Sequence, residues 1–393
     1  MSVFDDLVGQ EPVIDQLRSA VGAAAMVVAR SGQPTSAMTH AWLFTGPPGS
    51  GRSVAARAFA AALQCADGGC SLCTACAQTL SGSHPDVAAP ASDELHLKVE
   101  AARELILRAS RAPTRGRWQV VLIEDADRMT DEATNALLKA LEEPHPHCVF
   151  LLCAPSAEDL LPTVRSRCRL LALRTPSADA VAEVLVRRDG VDPAMAAFAS
   201  RAGQGHIGRA RRLALYEDAR QERHDVLALP RSLQGVGSAL SAAKALVDAA
   251  QEEAVRLTQD RDVTEKASLS TALGGGATGK GYTGSAPRGG AGALKELEKR
   301  QKSRGTRTSR DALDRALVDL TGFYRDVLTM QLKTGSDLVH VDLGQQAATI
   351  ARATTAESTL RRIDAVLACR TALEGNVAPL LAVESMALSL RTG

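Results

Sequence analysis

The chain has 393 residues with 46 Lys and Arg against 45 Asp and Glu. It is long enough for two or three domains and too evenly charged to be a polybasic nucleic-acid binder throughout. Its 45% hydrophobic and 23% charged residues are the composition of a soluble globular protein, and 3% aromatic residues argue against a base-stacking platform. No apolar run reaches the roughly 18 to 20 residues that span a bilayer, and the opening MSVFDDLVGQ lacks the regions of a secretory leader, so the expectation is a cytoplasmic protein with no membrane contact.

Along the first 175 residues, short apolar runs alternate with helical stretches. Ala41–Gly46, Trp118–Asp125 and Cys148–Ala154 read as buried strands of a parallel sheet with helices on both faces. The segment 176–230 opens at Pro176 and reads as a small helical lid; its Arg209, Arg211 and Arg212 read as a solvated helix face, with nucleic-acid or nucleotide contact as the alternative. From 231 to 393 the chain reads as all-helical, with Leu313, Leu317, Leu320, Tyr324 and Val327 on one buried face. A Gly-rich stretch, 272–293, interrupts it, and a disordered loop is expected over about 265–310; the basic run 295–310 either touches DNA or keeps the loop solvated, the second reading being preferred.

Gly46-Pro47-Pro48-Gly49-Ser50-Gly51-Arg52-Ser53 lies between a predicted strand and an Ala-rich helix, the context of a phosphate-binding loop. Its glycines let backbone N–H groups close around phosphate oxygens at a helix N-terminus, and Ser53 is the expected Mg²⁺ contact. Arg52 stands where such loops carry Lys, and a planar guanidinium does not replace a compact ammonium at a close-fitting site. A ligand-free glycine turn is the plain alternative. After the second strand come Glu124-Asp125, the reverse of the Asp-Glu pair that organises Mg²⁺ and water in nucleotide hydrolases. The third strand ends in Ala154, where a polar contact to the terminal phosphate is usual. The three departures together predict that hydrolysis is lost or very weak.

Four of the eight cysteines, Cys65, Cys70, Cys73 and Cys76, fall within twelve residues. Four thiolates at this spacing suit one tetrahedral structural Zn²⁺, with a disulfide pair or an iron–sulfur cluster as alternatives. His84 reads as a surface or turn residue before Pro85. Cys148, Cys153, Cys168 and Cys369 lie among apolar neighbours and read as small hydrophobes.

With these motifs placed, the sequence resembles the AAA+ clamp-loader subunits of bacterial DNA polymerase III, most closely those of the delta-prime type. Asn135-Ala136-Leu137-Leu138-Lys139 followed by Leu141-Glu142-Glu143-Pro144 resembles the family's signature, and Ser166-Arg167-Cys168 its Ser-Arg-Cys motif. Phe4–Gln10 is similar to its segment near the adenine, and the cysteines lie where these subunits insert a zinc module. The resemblance spans residues 1 to about 215. It implies a non-hydrolysing subunit in a hetero-pentamer with gamma/tau and delta subunits, acting on the sliding clamp and on primer-template DNA. It also implies a weak, degenerate ATP or ADP site with Mg²⁺, and polymerase chemistry carried by another subunit. Arg167 is then an arginine finger given in trans to a neighbour, or else a structural Arg paired within its own domain. Either Gly208 or Arg209 falls at the family's nucleotide-sensing position. The alternative is an ATP-hydrolysing motor subunit of the gamma/tau type or a related AAA+ ATPase.

Overall fold

A computed structural model describes residues 2–29, 36–90, 96–273, 290–375 and 377–392. The described residues divide into two units, one within 2–90 and 96–216 and the other within 217–392. The boundary at Tyr216 falls inside the 176–230 segment set apart above. The core of the expected Gly-rich loop, residues 274–289, lies outside the described residues.

The first unit contains α1 (Glu11–Ala29), β1 (Ala41–Thr45), α2 (Arg52–Gln64), α3 (Thr74–Leu80), β2 (Val87–Ala88), α4 (Val99–Ala109), β3 (Gln119–Ile123), α5 (Asp131–Glu142), β4 (Cys148–Ala154), α6 (Pro162–Arg165) and β5 (Arg169–Ala172). A helical cluster follows, α7 (Ala178–Asp189), α8 (Pro193–Ala202) and α9 (Ile207–Leu215). The strands form one parallel sheet in the order β2-β3-β4-β1-β5. Alternation along each strand splits the core in two. Trp42, Phe44, Leu122 and Leu151 meet α1 and α2 on one face, while Leu43, Val121, Phe150 and Leu152 meet α4 and α5 on the other. Every residue of β1, β3 and β4 is buried, as the near-continuous apolar runs predict.

Two expectations change here. α1 has 19 residues and is, among the described helices, apolar enough by length and composition to cross a bilayer. Its Val13, Leu17, Ala20 and Ala24 are instead part of the core against the sheet. Arg209 is buried within α9 and Arg211 pairs with Asp189 at 3.0 Å, so the arginine run is not a uniformly solvated face.

The second unit consists of α10 (Glu217–Ser232), α11 (Val236–Ala272), α12 (Gly290–Leu332), α13 (Gly344–Ala353), α14 (Ala356–Glu374) and α15 (Pro379–Thr392). Leu313, Leu317, Leu320, Tyr324 and Val327 are all buried at its centre. The flanks of the expected loop, 265–272 and 290–310, are helical rather than disordered. Cross-helix hydrogen bonds such as Gln301 Nε2 to the Asp262 carbonyl give those polar turns a partner that composition alone does not reveal. A buried polar network ties α10 to α12. Arg223 donates to Asp342 at 3.0 Å and to His340 Nδ1 at 2.6 Å. Because Arg only donates, Nδ1 accepts, and the His340 proton sits on Nε2, 3.1 Å from the Asp319 carbonyl.

Candidate functional site

The glycine loop lies at the C-terminal edge of the sheet, fixed by its neighbours on either side. Gly46 N donates to the Pro155 carbonyl at 3.1 Å, and Leu173 N donates to the Thr45 carbonyl at 2.7 Å. The N-terminal segment is pinned to the same place. Gln10 is buried and donates through Nε2 to the Arg174 carbonyl at 2.6 Å, while accepting from Arg174 N at 3.1 Å. A groove of about 320 Å³ runs beside this segment, lined by Leu7, Gly9, Ile14, Glu183 and Arg187 among others.

The side chains of the loop are turned inward. Arg52 Nη1 donates to the Gly46 carbonyl at 2.9 Å, so the guanidinium lies back across its own loop. Gly49 has φ +87°, and a Cβ there would overlap the backbone and ring of His206. His206 caps α9, accepting from Arg209 N at 3.3 Å through Nδ1. The sequence marks this segment as a sensor region but gives no sign that His206 closes over Gly49. Glu124 is held in an ion pair by Arg57 of α2, whose pKa is raised chiefly by that hydrogen bond. Asp125 stands at the start of a short 3-10 turn, and burial pushes the carboxyl of Asp127 in that turn up. The loop backbone and the buried, unpartnered Ser50 hydroxyl fit a phosphate. The side chains at the two positions read as departures, Arg52 and Glu124, are engaged inside the domain, on the Gly46 carbonyl and with Arg57.

The other end of α2 carries the cysteines. Cys65 follows the last turn, Cys73 caps α3, and Cys76 lies one turn into it. All four thiols are free and their sulfurs lie within 4.8 Å of one another. Cys65 Sγ is 3.6 Å from Cys70 Sγ and 3.7 Å from Cys73 Sγ. Four sulfurs about 2.3 Å from a zinc ion would stand about 3.8 Å apart, so the donor set fits. Backbone N–H groups already point at the sulfurs, Cys70 N at Cys65 Sγ (3.5 Å) and Cys76 N at Cys73 Sγ (3.4 Å). Burial pushes the Cys65 thiol up, but N–H groups of Cys70, Gly69 and Asp67 outweigh it and bring it down to about 6. Burial keeps the Cys76 thiol well above its ordinary value.

Two buried side chains buttress this end. Gln64 accepts from Arg117 N (2.9 Å) and donates to the Trp118 carbonyl (2.6 Å). Asp86 accepts from Thr114 N and Oγ1, both at 2.7 Å, from Arg115 N at 2.8 Å and from Gly116 N at 2.5 Å. Burial raises the Asp86 carboxyl, and the four donors outweigh it, leaving the pKa at about 2. Sequence reading missed both residues. His84 is buried, not superficial; it accepts from Asp86 N at 3.2 Å, and burial lowers its pKa.

Arg167 follows α6 at a turn, far along the chain from both loops. Its Nη1 donates to the Thr163 carbonyl at 2.7 Å and Nη2 pairs with Glu142 of the Leu-Glu-Glu-Pro run. The side chain is still 34% exposed. The partner anticipated for a structural Arg is therefore present, within its own unit.

A glycine loop joining a central parallel strand to a helix defines an α/β domain of the phosphate-loop class. Residues 25–177 match the family described as "DNA polymerase III, delta subunit". The chain is 40% identical over 163 residues to DNA polymerase III subunit delta' of Pseudomonas aeruginosa, covering 40% of this chain and 50% of that one. It is 34% identical over 162 residues to subunit delta' of Bacillus subtilis, covering 40% and 49%. It is 35% identical over 216 residues to subunit gamma/tau of Mycobacterium bovis, covering 51% and 35%. Over these stretches the chain is similar to clamp-loader subunits of DNA polymerase III. It spans about half the length of the delta' relatives it matches.

Proposed function

We propose that this chain is a delta-prime-type clamp-loader subunit, a non-hydrolysing member of the AAA+ class that helps place the sliding clamp on primer-template DNA. On this reading it works in the cytoplasm, in a hetero-pentamer with gamma/tau and delta subunits, and polymerase chemistry belongs to another subunit. One observation carries the reading: the side chains standing at the hydrolytic positions are engaged inside the domain, Arg52 on the Gly46 carbonyl and Glu124 with Arg57. Gly46, Gly49, Gly51 and Ser53 keep the backbone and hydroxyl of a weak ATP or ADP site with Mg²⁺. The four cysteines would hold a structural Zn²⁺, which supplies a rigid cross-link and no open coordination position.

Arg167 is proposed to serve a neighbour's nucleotide. A guanidinium stays charged and forks onto phosphate oxygens, and a triphosphate bears more negative charge than the Glu142 carboxylate that now holds it. The test is ATP turnover by the purified chain and by the reconstituted complex. The chain alone should show none, and Arg167→Ala should assemble normally yet lower the ATPase of the complex at least tenfold. An unaltered ATPase in an assembled Arg167→Ala complex would remove the finger.

The broader match to gamma/tau, over 51% of this chain, favours the motor subunit as a second reading. Turnover by the chain alone, abolished by Arg52→Ala, would establish it.

A further inference from the structure

The packed core of the second unit ends on α11 near Ala254 and on α12 near Ala312, yet both helices continue beyond it as a two-helix arm. At 1.5 Å per residue, the 37 and 43 residues of α11 and α12 are about 55 and 65 Å long. The seam of the arm is largely polar. Thr258, Gln301 and Arg304 are buried there, with Leu297 as the apolar contribution from α12. Arg304 pairs with Asp262 at 3.2 Å and Glu265 at 2.6 Å, so these α11 carboxylates are consumed inside the seam.

The opposite face of α12 is different. At 100° per residue, Lys295, Lys299 and Lys302 fall within about 60° of one another, directly away from Leu297, Gln301 and Arg304. All three are exposed, and among the described residues no carboxylate oxygen lies within 4.0 Å of their ammonium groups. Glu296 and Glu298 stand to either side of the stripe, and neither reaches a lysine. The three lysines span about 10 Å, the axial length of about three phosphates on one DNA strand.

We propose that this lysine face is a sequence-independent contact for the phosphodiester backbone of duplex DNA. Ammonium groups on flexible stems suit phosphates as point charges, and the helical parts of the arm contain no aromatic residue to stack on a base. With a whole-chain charge of only +1, such a contact has to be local. The proposal does not depend on the hydrolytic status of the chain or on Arg167.

The test uses the full chain and a fluorescent 30-base-pair duplex, titrated by anisotropy between 50 and 200 mM salt. Wild type should bind at 50 mM and weaken with salt. Replacing all three lysines by Glu should weaken binding at least tenfold and flatten the log–log salt slope by about 2 to 3, near 0.9 for each phosphate that is no longer neutralised. The triple Lys→Arg variant should bind like wild type, and the triple Lys→Gln variant should lose the slope without reversing charge. Circular dichroism and metal content report whether each variant is folded. A wild-type chain that ignores the duplex at 50 mM, or that prefers an acidic polypeptide to it, would overturn the proposal. So would a folded Glu variant with wild-type affinity and slope.

Discussion

Helix α2 carries a glycine-bearing loop at each end, and the two ends are built differently. At its C-terminus, the Cys65–Cys76 segment presents four sulfurs at metal-ligand spacing, with backbone donors in place and Asp86 and Gln64 bracing the turn behind it. At its N-terminus, the loop has the glycines of a phosphate cradle, but Arg52 and the more distant His206 lie over it. A backbone cradle is thus not a site by itself. What it accepts depends on whether the side chains around it face the ligand or each other.

The largest effect is expected at the cysteine end. Cys65→Ser should abolish metal binding, read as loss of about one zinc per chain, and cost about 4 kcal/mol or more by denaturant unfolding. A variant as stable as wild type would show that the metal does not organise this end of α2.

Asp86→Ala should cost about 3 kcal/mol, because three backbone N–H groups and the Thr114 hydroxyl lose a buried, charged acceptor. The pH dependence has a defined sign. Folding lowers the Asp86 pKa to about 2 from an ordinary 3.8, so its stabilisation is complete above about pH 4 and is lost as pH falls toward 2. A shift of that size is worth about 2 kcal/mol, and the Ala variant should lack this part of the acid transition.

Gly69 sharpens the same point with a smaller effect. It has φ +106°, and an added Cβ would stand 2.6 Å from Val3 Cγ2 in the N-terminal segment. Gly69→Ala should cost about 2 kcal/mol and lower zinc retention during dialysis against a chelator.

The phosphate end should give the smallest change in stability. Arg52→Lys removes one hydrogen bond to a loop carbonyl and should alter unfolding by about 1 kcal/mol at most. ATP binding followed by calorimetry should improve, while turnover stays absent because Glu124 remains paired with Arg57. Turnover restored by this one change would mean that the pairing of Glu124 does not disable the site.

The sheet and the cysteine cluster are legible from residue order alone. Buried parallel strands must be apolar on both faces, and metal ligands must be close in the chain when a short loop supplies them, so both leave local marks. The helical face of Leu313, Leu317, Leu320, Tyr324 and Val327 was legible for the same reason, a period of 3.6 residues. The roles of the polar residues come from packing between distant segments. His206 reaches Gly49 across more than 150 residues, Asp86 finds donors 28 to 30 residues away, and Arg167 meets Glu142 at a separation of 25. The helical flanks of the Gly-rich stretch were misread as loop for a related reason. Gln301 and Arg304 look like solvated residues until α11 brings Asp262 and Glu265 beside them, and a polar side chain's partner is set by packing rather than by periodicity.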